Sequence, residues 1–167
     1  MKSNKKKIIF FDGWTLGIHN ITRLQNEASK RGFTIELVHF GSWGDEKHRE
    51  KTENIEGINV RDISFFSSKS IEKILKIEDP DLIGFLSTNA LPHRSVIRYS
   101  KKLGIPTFHL FHGLDQFMDI TFNNNENNFN KIFRLRRHIP KQLFHFIPMY
   151  LKSLFSTRSQ ISDFTFF

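Results

Sequence analysis

A few residue types in this chain could do chemistry. His112, followed by Gly113, closes a short run of β-favouring residues, TFHLF. An imidazole titrates near neutral pH, so a histidine there can accept a proton or hydrogen-bond a hydroxyl. His19 falls in the first turn of a helical pattern. It follows the turn Asp12-Gly13-Trp14-Thr15-Leu16-Gly17. Gly13 permits a tight turn and close backbone approach, and the free N–H groups of the helix that follows can face a phosphate or sugar oxygen. Plain turn geometry accounts for the same two glycines, and both readings stay open. His109 lies on the run that leads to His112, where a buried histidine bonded to backbone is the simpler reading. His48 and His93 read as solvated loop or helix-start residues.

Several reactions are excluded. There is no cysteine, hence no disulfide scaffold and no thiolate metal site. No His or acidic set has metal-ligand spacing, so no metal is expected. Gly13 and Gly17 do not make the dinucleotide fingerprint GxGxxG, and no acid clearly ends the second strand to hold a ribose. No cofactor is expected. The segment FFDGWTL is only loosely similar to the DxDGT start of haloacid-dehalogenase-type phosphatases. Phe10 stands where their nucleophilic aspartate must be, so that phosphoryl transfer has no first step.

The elements that must position these groups follow from periodicity. Lys7 to Phe11 is a short apolar run that reads as a strand buried on both faces. A helix with Ile18, Ile21, Leu24 and Ala28 on one face ends at Lys30-Arg31-Gly32. Thr34 to Phe40 is a second strand, and the polar stretch Gly41 to Gly57 reads as an exposed loop. Ile58 to Ile63 suggests a third strand and Ser70 to Glu78 a helix stopped by Pro80. Leu82 to Leu86 is a fourth strand. Pro92 to Leu103 is a helix closed by Gly104, and Thr107 to Phe111 is a fifth strand. Strands alternating with helices of about three turns predict a Rossmann-like, doubly wound α/β body with a parallel sheet. In such sheets ligands bind beyond the carboxyl ends of the strands. That rule selects the turns Asp12 to Gly17, His39 to Trp43, Ser87 to Asn89 and His112 to Asp115.

Three segments now carry a resemblance. They are the first helix and second strand (SKRGFTIELVHF), Asp79 to Phe85 (DPDLIGF) and Leu103 to Gly113 (LGIPTFHLFHG). Together with the Gly13-x-x-x-Gly17 turn, the chain resembles the N-terminal, acceptor-side domain of a GT-B glycosyltransferase of the bacterial polysaccharide type. The resemblance covers roughly residues 7–115. It implies a domain that binds a lipid-linked or polysaccharide acceptor, while a second Rossmann domain holds the nucleotide sugar. It further implies that Gly13, Trp14 and Gly17 lie by the ligand, that Asn89, His112 and Gly113 line the cleft, and that His112 or His19 helps deprotonate the acceptor. About 50 residues follow the fifth strand, too few for a second doubly wound domain. The expectation is therefore half of a hexosyltransferase, inactive without a donor-binding domain. The alternative is a non-catalytic α/β binding module.

Charge divides the chain. The formal net charge is +8, yet residues 127–162 alone carry seven basic and no acidic side chains. Residues 1–122 read as the domain, the Asn-rich 123–130 as a linker, and 131–167 as a basic, aromatic helical tail. In the tail Leu143, Ile147, Tyr150, Leu151 and Leu154 repeat at helical spacing, widened by Phe144 and Phe155 and interrupted by Pro148. Arg134, Arg136, Arg137, Lys141 and Lys152 supply cations. Three readings are open: an anionic membrane surface, a helix packed on the body, and nucleic acid, of which the last is not expected. No apolar run reaches the ~18–20 residues of a membrane span, and the start lacks a secretory signal. The expected location is cytoplasmic, peripheral at the inner membrane face.

Overall fold

A computed structural model describes residues 5–12, 17–43, 51–68, 70–88, 90–110 and 144–157. The apolar run near the start forms β1 (Lys6–Asp12), buried from Ile8 to Phe11. A strand apolar on both sides needs cover on both faces, and it takes the middle of the sheet. It is followed by α1 (Ile18–Lys30), β2 (Phe33–His39), β3 (Thr52–Ile55), β4 (Ile58–Asp62), α2 (Ile71–Glu78), β5 (Leu82–Phe85), α3 (Leu91–Leu103) and β6 (Thr107–His109). Residues 144–157 form a further helix, α4. The sheet runs β3-β4-β2-β1-β5-β6, with every pairing parallel except the edge pair β3 with β4. Leaving out β3, the parallel strands stand in the order third, second, first, fourth, fifth. That is the order of a Rossmann-like half, with its reversal between β1 and β5.

The two faces of the sheet make two cores. Ile9, Phe11, Val38, Ile83 and Phe85 pack against α2 and α3. Ile8, Phe10, Leu37 and Val60 pack against α1 through Ile18 and Ile21. Alternation along each strand sends successive side chains to opposite faces. Gly84 of β5 serves the second core by its lack of a side chain. A Cβ there would lie 2.6 Å from the Phe10 ring and 2.8 Å from that of Phe108. Those rings meet edge to face, with centroids 5.4 Å apart.

The structure corrects the expected loop at 41–57. Gly41–Trp43 forms a 3₁₀ turn, and Thr52–Ile55 is the antiparallel edge strand β3. Glu56 and Gly57 both have positive φ, at 51° and 85°, as a two-residue hairpin turn of the right twist demands. Asn54 Oδ1 accepts from Gly57 N at 3.0 Å, and Gln25 Nε2 of α1 donates to Gly57 O at 3.0 Å. The hairpin is thus fixed by side-chain bonds to its turn, a signal that the polar sequence TENI conceals.

The tail is also corrected in part. α4 continues through Pro148, and its apolar residues divide between two faces. Met149, Ser153 and Leu154 are buried, and Met149 and Phe146 join the core under α3. Ser156 Oγ donates to Tyr99 Oη at 2.9 Å, and the Arg98 guanidinium lies 4.9 Å from the centre of the Tyr150 ring. Residues 144–157 therefore pack on the body. Among the described residues no helix is long and apolar enough to cross a membrane.

Candidate functional site at the carboxyl ends of the strands

The reversal between β1 and β5 opens the fold where their carboxyl ends diverge. Parallel register aligns three polar residues across this rim: Asp12 of β1 stands beside His39 of β2, which stands beside Asp62 of β4. Phe11 and Val38 of the core stand before the first two and Arg61 before the third, so the row lies where the apolar part of the strands ends.

Two members of the row are satisfied internally. Asp62 Oδ2 accepts from Ser42 N at 2.9 Å and Oδ1 from Ser64 N at 2.8 Å. Burial would raise its pKa, but these hydrogen bonds from Ser42 and Ser64 outweigh it and hold the carboxyl below its ordinary value. His39 is 1% exposed, and its Nδ1 accepts from Gly41 N at 3.1 Å. Its proton is therefore assigned to Nε2, and the 3.3 Å approach of Nδ1 to Asp62 Oδ2 is not a hydrogen bond. Asp62 and His39 fold the loops that follow β2 and β4.

At the other end of the row Asp12 faces His93. His93, in the first turn of α3, is 2% exposed and lies edge-on to Phe40 and Phe85. Neither ring nitrogen has a hydrogen-bond partner among the described residues. Its Nε2 lies 3.9 Å from Asp12 Oδ1, too far for a direct hydrogen bond. Burial, followed by the charge of His109, pushes the imidazole down to about 4. It is therefore neutral at pH 7, and the approach to Asp12 is not an ion pair. A buried imidazole with two unused nitrogens calls for a partner, because buried polar groups are nearly always satisfied. An oxygen about 2.8 Å from each would span the gap between His93 and Asp12.

Gly17 sits at the same place. A Cβ there would lie 2.4 Å from Leu86 Cδ1 and 3.4 Å from Asp12 Oδ2. Its missing side chain lets the start of α1 approach the end of β5 beside Asp12. α1 and α3 both begin at this rim, capped by Gly17 and Ala90, which have no side-chain acceptor. Their first-turn N–H groups therefore have no partner from the cap residue itself. Half-buried Ser87 and Thr88 follow β5.

Of the residues expected from the sequence, the structure brings Gly17 to this point. His19 lies elsewhere: its Nδ1 is 3.3 Å from Glu56 Oε1 of the β3–β4 turn, on an exposed surface. Lys152 is exposed on α4. His109 Nε2 lies 3.1 Å from Leu86 O, which agrees with a backbone-bonded histidine. Gly13, Trp14, Asn89, His112, Gly113, Arg134, Arg136, Arg137 and Lys141 lie outside the described residues. His93 corrects the reading as a solvated helix-start residue. Its burial comes from Phe40, just past β2, and Phe85 of β5, which are far apart in sequence. Among the described residues no group of three or more His, Cys, Asp or Glu could hold a metal ion.

The fold and site define an α/β protein with a mostly parallel six-stranded sheet and a row of polar residues at the carboxyl ends of its strands. No protein-family model matches the chain, and no curated protein or solved structure matches it either.

Proposed function

We propose that this chain is the acceptor-side domain of a glycosyltransferase, binding a hydroxylated acceptor between Asp12 and His93. One observation carries the reading: a buried, neutral histidine without a hydrogen-bond partner, 3.9 Å from a carboxylate at the topological switch point. A sugar hydroxyl is both donor and acceptor, which suits a carboxylate on one side and a neutral imidazole on the other.

In the transfer, the acceptor oxygen forms a bond to the anomeric carbon of the donor sugar. The bond from that carbon to the nucleoside diphosphate breaks, and the diphosphate leaves with the electron pair. The hydroxyl proton goes to the Asp12 carboxylate, because moving it to the buried, neutral imidazole would create a desolvated cation. His93 then positions the oxygen. The nucleotide-sugar site is assigned to a separate domain or chain, and the acceptor to the lipid-linked or polysaccharide class that the resemblance implies.

Acceptor binding tests this. With a short-chain prenyl-diphosphate N-acetylglucosamine as probe, Asp12→Asn and His93→Gln are expected to weaken the affinity of the full chain by roughly tenfold or more each. Unchanged affinity in both variants contradicts the reading. A second reading, a non-catalytic α/β binding module, is favoured by the outward face of α4. The two separate on turnover once a donor-binding partner is supplied.

A further inference from the structure

α4 also carries a stripe of exposed large apolar residues. Phe144, Ile147, Leu151 and Phe155 are 78%, 36%, 44% and 81% exposed. Spacings of three, four and four residues put them within an arc of about 80°, at 100° per residue. Met149 and Ser153 occupy the opposite arc and are buried against α3. The helix is therefore amphipathic twice over: one stripe is used by the fold and the other is presented outward. Isolated exposed apolar residues are ordinary, but a stripe along three turns, with a phenylalanine at each end, marks an interaction surface.

Charge selects the occupant. Lys152 is exposed beside Leu151, and the described part of α4 contains no acidic residue. The surrounding sequence, residues 127–162, is wholly without acids and carries seven basic side chains. A protein groove would have to match this charge with a specific acidic rim. The headgroup region of an anionic bilayer matches it without further fitting. Phenylalanine and leucine enter the acyl boundary while lysine reaches back to the phosphates. We infer that the Phe144–Ile147–Leu151–Phe155 face of α4 docks on an anionic membrane surface, with the helix lying in the interface plane. The inference holds whether or not the domain transfers sugar, since none of these residues belongs to the Asp12–His93 crevice.

Flotation of the full chain with vesicles of phosphatidylcholine alone, or mixed with phosphatidylglycerol, tests it. The wild type is expected to float with the mixed vesicles, and less so as salt is raised. Phe144→Ser combined with Phe155→Ser removes outward groups only, and an unchanged Tm checks that the fold is intact. This variant is expected to lose about tenfold or more in vesicle binding. Lys152→Glu should weaken binding to the anionic vesicles. Equal binding to both vesicle types, or full binding by the double variant, overturns the inference. So does an oligomer that the double variant converts to a monomer, which would make the stripe a protein interface.

Discussion

Arg61→Met is expected to lower folding stability by about 3–5 kcal/mol at neutral pH. That is a large share of the stability of an ordinary domain. Arg61 is 7% exposed on β4. Its guanidinium grips Glu78 at the end of α2 with two bonds, Nη1 to Oε1 at 2.8 Å and Nη2 to Oε2 at 2.7 Å. Nη2 also donates to Glu36 of β2. The Phe65 and Phe66 rings flank it at 5.6 and 5.1 Å. Lys7 completes the cluster, its Nζ donating to Glu78 O at 2.7 Å and approaching Oε2 at 3.2 Å. Burial alone would lower the pKa of Arg61, but its bond to Glu78 and the charges of Glu36 and Glu78 outweigh that and raise it. Burial would likewise raise Glu78, and Arg61 overrides it to hold the carboxyl low. Removing the cation takes away the guanidinium that Glu36 and Glu78 share and, among the described residues, leaves Lys7 beside Glu78.

The pH dependence separates charge from packing. A carboxyl with a depressed folded pKa contributes stability above its unfolded value and loses it as pH falls through the folded value. In the Arg61→Met variant Glu78 has lost the main partner that held its carboxyl low. The stability difference from wild type should therefore be greatest at neutral pH and shrink as the pH falls below about 4.5, where Glu78 is protonated in the unfolded chain. Urea unfolding at several pH values measures it. A difference that does not change with pH would assign the loss to packing.

His93→Leu is expected to act in the opposite direction on stability. It removes two unpartnered buried nitrogens, each an uncompensated desolvation, and should stabilise the fold by about 1–2 kcal/mol at pH 7. Acid enlarges the difference. The folded imidazole titrates at about 4, against 6.5 in the unfolded chain, because burial and then His109 disfavour its charged form. Between those values the unfolded state binds the extra proton, so wild-type stability falls as the pH drops from 6.5 towards 4. The loss over that window is about 3 kcal/mol. Asp12 on β1 and His109 on β6 are the charged or titratable groups that face the ring. The leucine variant lacks this titration and should show a flatter profile over the same window, while losing acceptor affinity. A gain in stability with loss of binding is the pattern of a functional polar group in a core. Equal pH profiles for the two proteins would contradict the buried, neutral state of His93.

Local pattern made much of the fold legible. Ile8 to Phe11 announces a central strand, and Pro92 and Gly104 bracket α3 because one fits a helix start and the other the left-handed turn after its end, at φ 72°. The rim rule reached Asp12, His39 and Gly17 before any contact was known. The features hidden from sequence are those decided by contacts between distant segments. β3 has too little apolar character to declare itself, and pairing with β4 makes it a strand. Nothing in the local sequence of β4 marks Arg61 as buried; Glu36 and Glu78, distant in sequence, are what pair it. His93 reads as a solvated helix start until Phe40 and Phe85 close over it. In α4 one broad apolar stripe proved to be two faces, because Met149 and Leu154 are buried while Phe144 and Phe155 stay exposed.

The central claim is that His93 and Asp12 share an acceptor hydroxyl. It is tested most directly by NMR of the full chain labelled with ¹³C at the histidine Cε1 positions, with the His93 signal assigned by its absence in His93→Leu. At pH 7 that signal should report a neutral ring, and titration with prenyl-diphosphate N-acetylglucosamine should shift it saturably, whereas a nucleotide sugar alone should leave it in place. A His93 signal that does not respond to the acceptor, or that responds instead to the nucleotide sugar, contradicts the account.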